Sequence, residues 1–198
     1  MAATRHVIEA LLATCGDDPI GKRDRVLLLF GWVSGGRRRS EITAATFENV
    51  RRDGDGFIYD LRKSKTNQSG RKNPKNLKPI QGVAAEALEA WIKGLLGFRI
   101  THGPLFRRIL NDRIVEPLRD GAVREIIRRR ARIADQPLGK LSAHSLRSGF
   151  ITEAGKQGIS LGETIAMTGH RSVQTVMGYY QSGELSTSRA ARLIDDHK

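Results

Sequence analysis

Two residues near position 145 have side chains suited to chemistry on a phosphate group. The segment 143–147 reads Ala-His-Ser-Leu-Arg, so His144 and Arg147 lie three residues apart and face the same way if this segment is helical. A guanidinium donates two parallel hydrogen bonds to a phosphodiester, and an imidazole exchanges protons near neutral pH. The alternative is structural: a partly buried histidine and a surface arginine follow Ser142, a good helix cap, by chance.

A second segment contains a histidine and a pair of tyrosines that a helical register separates. Gly169-His170 is followed nine residues later by Tyr179. Tyr179 lies beside Gly178, which loosens a helix as a mobile nucleophile requires. An apolar stripe turns the next tyrosine toward the core and leaves Tyr179 off its face; it consists of Val173, Val176, Met177 and Tyr180. The alternative is that both tyrosines pack and neither reacts.

A third segment joins the end of a predicted helix to three arginines. Residues 35–42 read Gly-Gly-Arg-Arg-Arg-Ser-Glu-Ile. As structure alone, this is a glycine helix stop followed by a solvated run of charge. Arginine is nevertheless well suited to bind a phosphodiester, because its planar guanidinium stays charged at any working pH.

The charge balance of the whole chain indicates a polyanionic partner. The 198 residues include 34 Lys and Arg against 21 Asp and Glu, a net charge of +13, and such basic domains commonly bind nucleic acid. A membrane surface would require a basic helix with large apolar residues opposite its charges, and we find none. The longest apolar run, residues 26–33, is too short to cross a bilayer. No secretory signal is recognisable and Cys15 has no cysteine partner, so we expect a cytoplasmic protein.

The elements that must position these residues are mostly helical. Apolar periodicity, with breakers and caps at the ends, predicts helices at 4–14, 23–34, 39–45, 83–96, 121–134, 145–157, 162–167, 173–180 and 185–194. A turn at 54–56 precedes predicted strands at 57–61 and 77–80, with a projecting basic loop at 63–72 between them. The fold class is therefore α+β, predominantly α-helical with a small antiparallel β-sheet.

In their order and spacing, these segments resemble the catalytic domain of the tyrosine recombinase, or phage integrase, family over about residues 20–185. Residues 36–41 match the family's Gly-x-Arg-x-Ser-Glu motif, and residues 64–66, Ser-Lys-Thr, match its hairpin lysine. The His-x-x-Arg box, the Gly-His box and the tyrosine nine residues beyond it are the segments described above. The resemblance implies the family's DNA breaking-rejoining fold and six catalytic residues, with Glu41 in support: Arg38, Lys65, His144, Arg147, His170 and Tyr179.

The resemblance also implies a reaction, site-specific cutting and rejoining of DNA through a 3′-phosphotyrosine. Tyr179 attacks the scissile phosphate in this scheme, and the two arginines stabilise the developing negative charge. The two histidines hydrogen-bond around the phosphate, and Lys65 protonates the departing 5′ oxygen. Attack by a 5′ hydroxyl reverses the step without ATP, so no cofactor is expected.

Other basic residues are expected to bind the backbone of double-stranded DNA. These are Arg51, Arg52, Arg62, Lys63, Arg71, Lys72, Arg128, Arg129, Arg130 and Arg132. For any one of them, a solubilising role is the alternative. The close acidic pair Asp53 and Asp55 is typical of a turn, so no metal site is predicted.

Family members usually have a separate helical domain before the catalytic one, whereas only about twenty residues precede the buried helix at 23–34 here. We therefore expect a single catalytic domain over residues 1–198, without the usual N-terminal core-binding domain. The tail 185–198 either packs on its own domain or is exchanged between protomers of a tetramer on DNA, formed from free monomers. Two other functions stay open: a type IB DNA topoisomerase, and a DNA-binding module without activity.

Overall fold

The computed structural model describes residues 1–61, 74–136 and 141–185. Its helices are α1 (Arg5–Ala13), α2 (Pro19–Val33), α3 (Arg39–Thr43), α4 (Val83–Gly97), α5 (Asp120–Ile133), α6 (Ala143–Lys156), α7 (Leu161–Thr168) and α8 (Val173–Glu184). Its strands are β1 (Val50–Asp53), β2 (Gly56–Asp60), β3 (Leu77–Ile80), β4 (Arg107–Leu110) and β5 (Arg113–Pro117). The predicted α+β class with a majority of helix is confirmed.

Helix α2 forms the centre of the main core. Because its apolar residues face all sides, neighbouring elements cover it all round, and Leu27, Leu28 and Phe30 are fully buried. The Phe30 ring contacts Tyr59 of β2, with the ring centroids 4.9 Å apart. The helix begins one turn earlier than predicted, because Asp18 caps it by accepting hydrogen bonds from two backbone N–H groups, with proline in the first turn.

The sheets are more extensive than the sequence predicts. Strands β2 and β3 pair antiparallel, which confirms the predicted hairpin, and β1 adds a third strand on the other side of β2. The prediction missed β1 because it contains a single buried residue, Val50. Strands β4 and β5 form a second sheet, so the prediction of one sheet is wrong. Their turn had a sequence signal, since Asn111 and Asp112 have φ of 48° and 58°, which these two residue types tolerate.

Helix α8 lies directly against the backbone of α6. A Cβ added to Gly183 would lie 2.0 Å from the carbonyl oxygen of Thr152, and one added to Gly155 would lie 2.3 Å from that of Tyr180. These two glycines therefore permit a separation that side chains would prevent. The contact buries a small apolar cluster apart from the main core, formed by Ile151, Val176 and Tyr180.

The C-terminal part of the chain was predicted to contain two helices, at 173–180 and 185–194. Helix α8 continues to Glu184, four residues past its predicted end at 180. The predicted helix at 185–194 lies outside the described residues apart from its first position. Within the described segments, no helix is long and apolar enough to cross a membrane.

Candidate active site

The turn after α2 brings the first arginine segment against α6 and α7. Gly35 and Gly36 have φ of 100° and 67°, a region that glycine adopts without strain. A Cβ on Gly36 would lie 2.2 Å from the Cα of Arg147, and a Cβ on Gly35 would lie 2.3 Å from the carbonyl oxygen of Met167. Two glycines are thus required here, and residues far apart in sequence meet at their backbones.

Arg38 stands at the start of α3, with its guanidinium oriented by Glu41. One carboxylate oxygen of Glu41 accepts from the backbone N–H of Arg38 at 3.0 Å, and the other accepts from its guanidinium at 2.8 Å. Burial opposes ionisation of Glu41, but Arg37 and Arg38 outweigh it and hold the pKa of this carboxyl below its ordinary value. Because the side chain of Arg38 is 41% exposed, it is oriented and still accessible to an anion.

Arg147 is buried and held by backbone carbonyls. Its guanidinium donates to the carbonyl of Thr168 at 2.6 Å and to that of Gly36 at 3.2 Å. Burial, followed by repulsion from Arg37 and Arg38, lowers its pKa to about 10. The group therefore remains charged at neutral pH, and its orientation is fixed before any substrate arrives.

His170 lies against Arg147 and is neutral in the physiological range. Arg147 Nε donates to His170 Nε2 at 3.2 Å, and His170 Nδ1 lies 2.8 Å from the hydroxyl oxygen of Thr168. Burial and then the charge of Arg147 lower the pKa of His170 to about 4. An imidazole with so low a pKa is a poor proton acceptor, so this arrangement favours a hydrogen-bonding role for His170 over a role as general base.

Tyr179 and His144 form the exposed side of the site. Their ring centroids are 6.4 Å apart with an interplanar angle of 72°. Tyr179 is 40% exposed, whereas Tyr180 is buried and donates its hydroxyl to the carbonyl of Ile159. The predicted separation of the two tyrosines by register is confirmed, although Val173, at the start of the stripe, is 52% exposed. His144 and Arg147 both lie on α6, where His144 is exposed and Arg147 is buried.

Five predicted residues lie outside the described segments. Lys65, the expected acid, lies outside the described residues, together with four of the predicted DNA contacts: Arg62, Lys63, Arg71 and Lys72. Of the contacts on β1, Arg51 and Arg52 are exposed, and Arg52 is paired with Glu89 at 3.0 Å.

The arginines of α5 were predicted to be displayed together, and for Arg130 this is wrong. Arg130 is 6% exposed, and donates to Asp24 at 2.8 Å and to the carbonyl of Thr14 at 2.5 Å. It lies seven residues after the buried Val123, on the inner face of the helix. Arg129 is exposed but is also paired with the buried Asp24. Arg128 and Arg132 are exposed as well.

A cavity of about 410 Å³ opens beside His144. It is lined by three arginines, by the first turn of α6 and by Leu141: Arg39, Arg124, Arg128, Leu141, Ser142, Ala143 and His144. The sequence prediction missed Arg39 and Arg124. Arg124 had a signal, since it precedes Arg128 by four residues on the exposed face of α5. No cluster of three or more metal-ligating side chains lies within the described segments.

The fold and the motifs both have counterparts among known proteins. An "Integrase/recombinase xerD homolog" from Selenomonas ruminantium is 28% identical over 172 residues, covering 86% of this chain and 50% of the relative. The XerA recombinase superposes with a TM-score of 0.73 at 16% identity, over 100% of this chain and 64% of that chain. The XerH site-specific recombinase, bound to palindromic difH substrate in a post-cleavage complex, superposes with a TM-score of 0.72 at 17% identity. The superposition covers 99% of this chain and 54% of that chain.

This chain thus spans about half the length of the curated relative that it matches. The model of the phage integrase family matches residues 2–185. That match covers nearly the whole sequence, and it includes the segments that contain Arg38, His144, Arg147, His170 and Tyr179. The chain belongs to the phage integrase family.

Proposed function

We propose that this chain is the catalytic domain of a tyrosine recombinase, which cuts and rejoins double-stranded DNA through a 3′-phosphotyrosine at Tyr179. One observation carries the proposal: three separate segments meet at Arg147, which donates to His170 at 3.2 Å and to the carbonyl of Gly36, two residues before Arg38, at 3.2 Å. Arg147, Arg38 and His144 all lower the pKa of His170. The ring of His144 also lies against the exposed ring of Tyr179, and Glu41 is the carboxylate that balances the two arginines.

The residues divide the reaction among them. The Tyr179 oxygen forms a bond to the scissile phosphorus, and the bond from phosphorus to the 5′ oxygen breaks. Arg38 and Arg147 stabilise the charge on the non-bridging oxygens, with His170 donating or accepting a hydrogen bond as a neutral imidazole. As the Tyr179 oxygen attacks, its proton passes to a histidine, for which the neighbouring His144 is the candidate. The departing 5′ oxygen takes a proton from Lys65, whose role comes from the resemblance.

The arginine-lined cavity supports a DNA path next to the phosphate site. Arg39, Arg124 and Arg128 are exposed within reach of the cavity beside His144, and neutralising neighbouring phosphates there releases counterions. That XerH was solved bound to its difH substrate supports DNA as the ligand of this related fold. Assembly as a tetramer on DNA and a cytoplasmic location are parts of the same proposal.

The test is covalent capture from a library of nicked duplexes with a randomised core. Tyr179 attack on a phosphate a few nucleotides to the 5′ side of the nick releases the short strand between the two, which diffuses away. The adduct therefore accumulates, and its DNA can be sequenced. We expect one enriched site, no adduct with Tyr179→Phe, and an adduct with the matched control Tyr180→Phe, which loses only a hydroxyl that donates to Ile159.

Three other outcomes would contradict the proposal. An adduct that survives Tyr179→Phe would place the nucleophile elsewhere. Relaxation of supercoiled plasmid by a monomer, without strand exchange, would identify a type IB topoisomerase. Salt-sensitive DNA binding with no adduct from any library member would identify a binding module without activity.

A further inference from the structure

The last three carbonyls of α7 are bound by three buried cations from other parts of the fold. Lys78 on β3 donates to the carbonyl of Ala166 at 2.5 Å, and Arg37 donates to that of Met167 at 2.7 Å. Arg147 on α6 donates to that of Thr168 at 2.6 Å. We call Lys78, Arg37 and Arg147 the carbonyl clamp.

The carbonyl clamp donates hydrogen bonds to backbone carbonyls at the C-terminal end of α7. The C-terminal carbonyls of a helix have no partner within it and bear the negative end of its dipole, so cations there are favourable. Helix α7 stops at Gly169, whose φ is 69° and whose N–H donates to the carbonyl of Ile165. The next residue is His170, so the clamp holds the end of the helix from which this imidazole projects.

Burying these cations together is costly. Lys78 is 2% exposed and Arg37 is 1% exposed. Burial, and then the charges of Arg37 and Arg147, lower the pKa of Lys78 to about 8. Among the residues that the structure describes, Glu41 is the carboxylate that raises the pKa of these cations, and its oxygen lies 3.7 Å from Arg37. An apolar side chain at position 78 would avoid the desolvation, so the contact with α7 must offset it.

We infer that Lys78 and Arg37 are positioning residues, which fix the end of α7 so that His170 meets Arg147. The inference deepens the proposed function and rests on it for its catalytic consequence. Lys78 acts through the turn and does not reach a substrate, because its ammonium is buried and donates to two carbonyls, of Lys75 and Ala166.

The direct test measures the pKa of His170 by NMR in Lys78→Met, which keeps the aliphatic stem and removes the ammonium. Among the described residues, the charges that lower the pKa of His170 are those of Arg147, Arg38, Arg37 and His144. Because loss of the buried ammonium also acts on the imidazole through its charge, a rise in this pKa counts as movement of the turn only when the Gly169 amide of the same variant also exchanges faster. We expect a rise from about 4 toward the ordinary value. The matched control is Lys93→Met, since Lys93 is exposed on α4 and pairs with Glu89; it should leave the pKa unchanged.

A second variant guards against loss of folding. Arg37→Leu removes the contact with Met167, and its readout is hydrogen exchange of the Gly169 amide, expected to become about tenfold faster. The inference is overturned if the His170 pKa or the Gly169 exchange rate stays at its wild-type value in a folded variant. Failure of both variants to fold also overturns it, because Lys78 and Arg37 would then serve the fold and not the turn.

Adduct formation separates this inference from the proposed function. Lys78→Met should slow the adduct about tenfold in the wild-type background and not at all in a His170→Ala background, because residues that act through one another are not additive. Equal slowing in both backgrounds would mean a general structural role. If the wild-type protein forms no adduct while the His170 pKa still rises in Lys78→Met, the proposed function fails and the positioning role stands.

Discussion

The two halves of the candidate site are held in opposite ways. In the inner half, Arg147 is 6% exposed and its guanidinium donates to backbone carbonyls of two other segments. In the outer half, Tyr179 is 40% exposed, and the described contact of its ring is with the exposed His144. Charge-stabilising groups are most effective when they are oriented before the reaction, whereas a nucleophile must move between the intact and the cleaved strand.

The contrast extends to the helices that hold each half. The turn at Gly36 has no room for a Cβ, because the backbone of Arg147 lies against it. Gly178, next to the proposed nucleophile Tyr179, has no atom within 4 Å of the position where its Cβ would be. The inner half is therefore built into the core, and the outer half rests on α6 through one face of α8.

The sharpest test compares the two arginines. Arg147→Ala and Arg38→Ala should each slow adduct formation about 10²–10³-fold, as loss of a charge-stabilising donor does. Arg147→Ala should also lower the free energy of unfolding by about 1–3 kcal/mol, because buried carbonyls lose their donors. Arg38→Ala should change it by less than about 1 kcal/mol, since its partly exposed pair with Glu41 contributes little. Equal losses of stability in urea denaturation would break the comparison.

The two glycines provide the next test. Gly36→Ala should destabilise the protein by about 2–4 kcal/mol, because its φ is 67° and its Cβ would meet the Arg147 backbone. Gly178→Ala should stabilise the protein by about 0.5–1 kcal/mol, since alanine favours a helix and has open space here. If cleavage requires mobility of α8, Gly178→Ala should also lower the rate of adduct formation. A faster adduct in this stiffer variant would argue against a mobile nucleophile.

Arg130 and Arg128 on α5 allow the same comparison, between a buried and an exposed arginine, at the proposed DNA path. Arg130→Met should cost about 1–3 kcal/mol of stability, because Thr14 and Asp24 lose a buried donor. Arg128→Met should leave stability within about 0.5 kcal/mol and reduce the salt dependence of DNA binding by about one phosphate. The measurements are urea denaturation and binding titrations at several salt concentrations. If the salt dependence of DNA binding fell in Arg130→Met and not in Arg128→Met, Arg130 and not Arg128 would be the arginine that binds DNA.

The last comparison concerns the pH dependence that His170 gives to stability. Its pKa is about 4 in the folded protein against an ordinary 6.5, so between these values the unfolded chain binds a proton that the folded protein does not. Stability is therefore fully present above pH 6.5 and falls as the pH drops toward 4. His170→Asn should flatten this part of the profile, as measured by urea midpoints between pH 7 and pH 4.5. An identical slope in both proteins would show that His170 is not held beside Arg147.

Local sequence predicted the parts of the site that depend on one helix or one turn. The register of α8 separated Tyr179 from Tyr180, and the two glycines before Arg38 marked the end of α2. The sequence did not reveal Lys78 as part of the site, because a lysine on a short strand next to a basic loop is typical of an exposed residue. Its burial depends on Ala166, 88 residues away.

By itself, the sequence determined the helical majority and the candidate residues, since periodicity, capping and motif spacing act over a few neighbouring positions. Only the tertiary structure decided which cations are buried and which are exposed. Arg130 and Arg128 differ by two positions, yet Arg130 meets Asp24, 106 residues away, while Arg128 lines a cavity beside His144. A buried charge needs partners from distant segments to offset its desolvation, and those partners meet only when the chain folds.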